Sequence, residues 1–161
     1  TFNESFATFV GRVGAAQFFC TRDGGGPDTS KCLRAQARWR DYQRFSVFVD
    51  SMMVELEGIY GDLALSYDDK VSRREEIFTQ ALTRFDDEIA PTFEAVTFRG
   101  FRETSLNNAT LLSRIRYYHR LPDFALMLEE RGGDLAGLLA ELRATMDTVS
   151  DPFDLLPESK P

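Results

Sequence analysis

The first seven residues, Thr1-Phe2-Asn3-Glu4-Ser5-Phe6-Ala7, place a carboxylate inside an aromatic stretch. Burying that carboxylate without a positive partner would be costly, and a metal ion is one such partner. A zinc site of the HExxH type needs two histidines at i and i+4 of one helix, with a glutamate between them as the base and a further ligand from elsewhere. The chain has one histidine, His119, and no HExxH sequence. Glu4 is therefore either an ordinary helix residue or one ligand of a site whose other ligands lie elsewhere.

The position of this motif favours the second possibility. The chain opens without methionine and almost inside the motif, so we expect it to be the C-terminal part of a longer polypeptide. The alternative is a solvent-facing glutamate in a first helical turn, where the helix dipole favours a negative charge. Taken locally, the alternative is the simpler interpretation.

The composition predicts one globular domain. A chain of 161 residues with 43% hydrophobic residues can bury a substantial core, and we place this domain at residues 1–150, followed by an irregular, proline-containing tail at 151–161. Nineteen basic against 26 acidic residues give a net charge of -7, which is the wrong sign for a protein that binds nucleic acid through its backbone. The chain also lacks an uninterrupted apolar run long enough for a transmembrane segment.

Two cysteines, Cys20 and Cys32, bracket a glycine-rich polar loop of eleven residues. Their spacing is too long for a CxxC redox or zinc motif. We favour a disulfide over two free thiols, since closing such a loop would stabilise the fold by about 3 kcal/mol. A disulfide would imply an oxidising compartment such as a periplasm.

Hydrophobic periodicity predicts an all-α fold. Apolar residues recur at helical spacing over residues 2–19 and again over a long helix at 31–62, for which Ser30 is the expected N-cap. A third helix begins at Asp68 or Asp69 and ends near Pro91. The second and third helices have matching apolar stripes and a short connection, so we expect an antiparallel hairpin.

The face opposite the apolar stripe differs between the first two predicted helices. In the long helix it is charged, and in the first helix it carries small residues. The charged face of the long helix is expected to be solvated, and it carries Arg38, Arg40, Asp41, Arg44 and Asp50. In the first helix, Glu4 points away from the aromatic stripe and shares its side with small residues, at about 100° per residue. These are Ala7, Thr8, Gly11 and Ala15, which would allow another helix to approach closely.

The second half of the chain predicts several shorter helices. Residues 93–103 lose the helical period and are expected to form an irregular loop across the surface of the bundle. Asn107 or Asn108 then caps a fourth helix, and Pro122 opens the next one. Gly132-Gly133-Asp134 forms a turn before a final helix. The predicted architecture is a helical bundle with a long hairpin and shorter C-terminal helices.

Several of these segments occur together in an order that resembles the bacterial predicted aminopeptidase family of zinc peptidases, often made as lipoproteins. The segments are Phe2-Asn3-Glu4-Ser5-Phe6-Ala7, Asn107-Asn108-Ala109, Tyr118-His119 with Pro122 and Phe124, and Gly132-Gly133-Asp134-Leu135. The likeness spans most of the chain. It implies a periplasmic or membrane-anchored bacterial enzyme that acts on peptides.

The resemblance also implies roles for particular residues. Glu4 would be the third ligand of a Zn²⁺ ion, whose two histidine ligands and catalytic glutamate belong to an HExxH segment upstream in the same polypeptide. Tyr118 would donate a hydrogen bond to the oxyanion, although a buried structural tyrosine is the other interpretation. Asn107 and Asn108 would bind the peptide substrate, or act only as helix caps. The insertion bounded by the cysteines and the short Leu121-Pro122-Asp123 segment depart from the family pattern.

Two functions from different classes follow. One is the C-terminal part of a zinc aminopeptidase, inactive alone because one glutamate cannot hold a catalytic zinc. The other is a self-standing helical interaction or sensor domain without catalysis. The first predicts an exposed side at Ala7, Gly11 and Ala15, where the missing helix would pack. The second predicts that this side is covered or polar.

Overall fold

The computed structural model describes residues 1–157, and over that range it is an all-α fold without β-strands, as the hydrophobic periodicity predicts. The helices, in chain order, are α1 (Phe2–Thr21), α2 (Ser30–Gly61), α3 (Tyr67–Arg84), α4 (Gly100–Glu103), α5 (Asn108–Tyr118), α6 (Leu121–Glu129) and α7 (Leu135–Thr145). The predicted limits of the first two helices are correct to within two residues.

The start of α2 corrects one predicted detail. Its N-cap is Thr29 rather than Ser30, because the Thr29 hydroxyl accepts a hydrogen bond from the Cys32 N–H at 3.4 Å. The predicted disulfide between Cys20 and Cys32 is present, with Cα atoms 4.7 Å apart. It joins the last turn of α1 to the first turn of α2.

The predicted antiparallel hairpin of α2 and α3 is confirmed. Near the connection, the Lys70 ammonium donates to the Tyr60 carbonyl oxygen at 2.8 Å. At the far end of α3, Arg84 pairs with Glu55 at 3.0 Å. Sequence positions that increase along α3 thus meet positions that decrease along α2, as two antiparallel helices require.

The segment after α3 agrees with the prediction in part. A π-helical turn (Phe85–Ile89) and a 3₁₀ turn (Ala90–Thr92) extend the helical path to the predicted end near Pro91. Residues 93–99 are irregular as predicted, and α4 then interrupts the predicted irregular stretch. Phe101 in α4 is only 2% exposed. The prediction was wrong only for residues 100–103, because Phe101 packs into the bundle and this contact outweighs the weak local helical pattern.

The buried apolar side chains form two clusters. The first lies among α2, α3, α4 and α5, around Phe45 and Phe101. The second lies among α1, α6 and α7, around Phe9 and Phe124, whose rings stack at a centroid distance of 5.4 Å. Tyr118, the last residue of α5, packs against both clusters.

Asp41 is the largest departure from the predicted solvated face of α2, because its side chain is fully buried, at 0% exposure. Its carboxylate accepts hydrogen bonds from three consecutive backbone N–H groups, those of Glu94, Ala95 and Val96, at 2.7–3.1 Å. Arg44 also donates to Asp41 at 3.2 Å. The buried carboxylate thereby fixes the extended segment after Thr92 onto α2.

Acid should weaken the attachment of this segment to α2, because it protonates the Glu94 carboxylate. Hydrogen bonds from Arg40 and then Arg44 lower the pKa of Glu94 from 4.5 to about 2. A carboxylate whose pKa is depressed in the folded state contributes stability above its unfolded pKa, and that contribution is lost as the pH falls towards the folded value. We therefore expect the stability difference between the native chain and Glu94→Gln to shrink between pH 5 and pH 2. Urea unfolding across that range tests this, and a difference that stays constant with pH would contradict it.

The described part of the C-terminal tail lies against the second cluster. Pro152–Leu155 form a 3₁₀ turn, the Phe153 ring meets Phe2 edge-on at 5.1 Å, and Leu156 is buried. Residues 158–161 of the predicted tail lie outside the described range. In residues 1–157, none of the helices combines the length and apolar character needed to cross a membrane.

Candidate functional site

Glu4 lies in the first turn of α1 with its side chain exposed. Within residues 1–157 it forms neither an ion pair nor a side-chain hydrogen bond. The adjacent Ser5 is fully buried, and its hydroxyl donates to the Arg116 carbonyl oxygen of α5 at 3.1 Å. This bond sets the start of α1 beside the end of α5, so Glu4 and the end of α5 lie in the same region of the molecule.

The side of α1 that carries Glu4 is open along much of its length. Ala7 and Gly11 are exposed and Ala15 is half-buried. A Cβ atom placed on Gly11 would have no neighbour within 4 Å. This exposure is what the enzyme interpretation predicts for the side where a further helix would pack.

A cavity of about 390 Å³ joins this side of α1 to Tyr118. Its wall consists of Ala7, Thr8, Gly11, Arg12, Tyr42, Tyr117 and Tyr118. Ala7, Thr8 and Gly11 follow Glu4 by three, four and seven residues, which is the spacing of one helical face. The structure therefore brings the helical face that carries Glu4, but not Glu4 itself, to the same cavity as Tyr118.

Tyr118 is held by neighbours that keep its hydroxyl protonated. Burial, followed by the interaction and hydrogen bond with Tyr42, raises the pKa of Tyr118 to about 12. The Tyr42 hydroxyl in turn accepts a hydrogen bond from Arg12 Nη2 at 2.6 Å, and the Arg12 guanidinium lies 4.2 Å from the centre of the Tyr42 ring. A tyrosine with such a pKa remains a hydrogen-bond donor throughout the neutral range.

Asn107 and Asn108 lie at the opposite end of α5, about 15 Å along the helix from Tyr118. Asn107 is the N-cap and exchanges hydrogen bonds with Thr110, as the capping interpretation predicts. The Asn108 amide donates to the Tyr60 hydroxyl at 2.8 Å. Substrate binding by the two asparagines stays a prediction.

His119 directly follows α5 and contacts Asp50. Its Nδ1 lies 2.7 Å from Asp50 Oδ1, and the other oxygen of Asp50 accepts from the Arg120 N–H at 2.9 Å. Because an ionised carboxylate only accepts, the histidine nitrogen donates here. Asp50 was predicted to be solvated, but these bonds hold it half-buried at the turn between α5 and α6.

A protein zinc site needs at least three ligand side chains. In the described range, histidine, cysteine and acidic side chains form no group of three that could hold a metal ion. Glu4 fits as one carboxylate ligand, because it is exposed and free of competing cations. A complete site would need its other ligands from outside these residues.

Arg12 and Tyr42 are the site residues that the sequence reasoning missed. In the sequence, Arg12 directly follows Gly11 and lies at the edge of the small-residue face. This position is the one local signal for a positive charge beside that face. Tyr42 belongs to the apolar stripe of α2 and looks like an ordinary core residue. Their pairing depends on the packing of α1 against α2, which periodicity alone does not specify.

Comparison with known proteins gives one result. Neither curated proteins nor solved structures yielded a match. The model of the family described as "Putative aminopeptidase" matches residues 1–151. This match covers nearly all of the chain, including Glu4, the cavity wall and Tyr118. The chain therefore belongs to the putative aminopeptidase family.

Proposed function

We propose that this chain is the C-terminal helical part of a zinc-dependent aminopeptidase that removes N-terminal residues from peptides. Glu4 supplies one carboxylate ligand, and two histidines of an HExxH helix outside these 161 residues supply the others. Membership of the family supports the peptide substrate. The exposed side at Ala7 and Gly11 supports a place for that helix, whereas an interaction domain was predicted to have this side covered or polar.

The observation that carries the proposal is the shared cavity beside α1. The residues that line it include Ala7, Thr8 and Gly11, which continue the helical face of Glu4, and Tyr118. A substrate in this cavity would lie against Tyr118 and beside the helical face that carries the proposed metal ligand.

The metal and the residues of this chain have separate chemical roles in this proposal. When bound, zinc lowers the pKa of a water molecule and polarises the carbonyl group of the substrate. Tyr118 donates its hydroxyl proton in a hydrogen bond to the oxygen on which negative charge develops. Arg12 holds the Tyr42 hydroxyl beside Tyr118, and the high pKa of Tyr118 keeps its own hydroxyl protonated.

The disulfide supports a proposal for the compartment. A bond between Cys20 and Cys32 supports an oxidising location, and we propose the periplasm of a bacterium, with a lipid anchor carried by the full-length protein. This location agrees with the resemblance to bacterial lipoproteins.

Glu4→Gln in the full-length protein tests the ligand assignment. We expect zinc affinity to fall by at least about tenfold to a hundredfold, since even the partners that orient metal ligands are worth that much. Competition with a chromogenic chelator measures the affinity, and hydrolysis of an aminoacyl arylamide measures activity. Glu57→Gln, an exposed carboxylate on α2, is the matched control. Full zinc affinity and activity in Glu4→Gln would remove Glu4 from the site.

A further inference from the structure

A second cavity, of about 430 Å³, lies between α1 and α2. Four positively charged side chains line it: Arg12 from α1, and Lys31, Arg34 and Arg38 from α2. We call this space the cation cavity. Its apolar wall includes Phe19 and Ala35, and its wall contains no acidic residue.

The charge of the cation cavity is not neutralised within the described part of the chain. None of its four cations forms an ion pair there, whereas Arg40 and Arg44, further along α2, both pair with Glu94. The chain as a whole carries a net charge of -7, so this concentration of positive charge is local. Such a cluster attracts a small anion while the overall charge repels a polyanion such as nucleic acid.

The cation cavity adjoins the cavity of Tyr118 through one residue. Arg12 lines both spaces, and its guanidinium donates to the Tyr42 hydroxyl that in turn contacts Tyr118. A peptide held at Tyr118 can therefore extend past Arg12 towards Arg34 and Arg38.

The walls of the cation cavity are held together covalently. The Cys20–Cys32 disulfide ties the two helices just beyond Phe19 and Lys31, and Cys32 is fully buried. The helices cannot separate at this end without breaking the bond. The cavity is thus preformed, which reduces the entropic cost of binding a ligand.

We propose that the cation cavity binds a carboxylate of the peptide substrate, on the side of the scissile bond away from the N-terminus. This inference rests on the proposed function and names its substrate class, which is short peptides that end in a free carboxylate or carry an acidic side chain. Both groups are ionised at neutral pH and match the geometry of arginine. The arginines hold the carboxylate, and Phe19 contacts the neighbouring apolar part of the peptide.

Binding measurements test the proposal separately from catalysis. Three probes are titrated by NMR at low salt into the 161-residue chain: trialanine, trialanine amide, and Ala-Ala-Glu amide. We expect the two carboxylate-bearing peptides to shift resonances of α1 and α2 beside the cavity and to bind at least about fivefold more tightly than trialanine amide. Preference for trialanine identifies the terminal carboxylate as the ligand, and preference for Ala-Ala-Glu amide identifies the acidic side chain.

Charge-removing variants supply the second arm of the test. Arg34→Gln combined with Arg38→Gln should weaken binding of the carboxylate-bearing peptides about tenfold and leave trialanine amide unaffected. Arg143→Gln, an exposed arginine on α7, is the control and should change nothing. In the full-length enzyme the double variant should raise KM for whichever carboxylate-bearing peptide binds more tightly and leave kcat unchanged.

Two results would overturn the inference. One is equal affinity for all three peptides, and the other is an equal effect of the double variant and Arg143→Gln. Because NMR binding needs neither zinc nor turnover, its outcome is independent of Glu4. Loss of the zinc assignment with carboxylate binding intact would refute the proposed function alone.

Discussion

Replacing Asp41 with alanine is expected to lower the free energy of unfolding by about 3–5 kcal/mol, because three backbone N–H groups would lose their acceptor at a cost of about 1–3 kcal/mol each. The Asp41 carboxylate accepts from three backbone N–H groups at once and also pairs with Arg44. Without it, the N–H groups at residues 94–96 lose their acceptor in a site where water has limited access. The segment between α3 and α4 would then lose its main attachment to α2.

Urea unfolding of the 161-residue chain, followed by circular dichroism, measures this effect. Asp41→Asn retains one carbonyl acceptor and should fall between the native chain and Asp41→Ala. Asp87→Ala, an exposed aspartate in the π-helical turn, is the control for a surface carboxylate. If Asp41→Ala destabilises the chain no more than Asp87→Ala does, the carboxylate does not hold this segment in place.

The second large effect follows from the proposed function: Tyr118→Phe should lower kcat of the full-length protein, loaded with zinc, by about 100- to 1,000-fold. This is the usual cost of removing one donor to a developing oxyanion. KM should change little, because the phenylalanine ring keeps the packing against both clusters. Arylamide hydrolysis under steady-state conditions gives both constants.

The controls separate a chemical role of Tyr118 from a structural one. Tyr67→Phe removes an exposed hydroxyl at the start of α3 and should leave kcat unchanged. Zinc affinity should also be unchanged in Tyr118→Phe, in contrast to Glu4→Gln. A normal kcat in a correctly folded Tyr118→Phe enzyme would show that the hydroxyl takes no part in the reaction.

The helices could be predicted from the sequence because their signals are local. The apolar residues of α1 and α2 recur at a spacing that only a helix satisfies, and Asn107 and Pro122 mark helix starts by their own backbone chemistry. The open side of α1 was also predictable, since the small residues that follow Glu4 lie on one helical face.

Asp41 could not be placed correctly by the same reasoning. On a helical wheel it lies with arginines, which is typical of a solvated face. Its actual partners, the N–H groups of residues 94–96, are more than fifty positions away and become neighbours only after the chain folds back along α2. Phe101 was misplaced for the same reason, because its burial depends on contacts with α2 and α3 that no local pattern contains.

Only part of the candidate site could be predicted from the sequence. The roles of Glu4 and Tyr118 came from the family resemblance, whereas the Ser5 hydrogen bond to Arg116 and the cavity that joins the first helix to Tyr118 are new information from the structure. Arg12 and the cation cavity were not predicted. Their positive charges are spread over two helices, and only the packing of those helices brings them together.

The position of Tyr118 between the two hydrophobic clusters links the site to partial unfolding. Proteins open locally at a lower free energy than that of global unfolding. A local opening at the junction of the two clusters would take the Tyr118 ring out of its packing on at least one side while most helices persist. Under the proposed function, heating is expected to abolish hydrolysis before it removes the helical circular dichroism signal, so the reactive geometry would have a lower thermal limit than the fold that supports it.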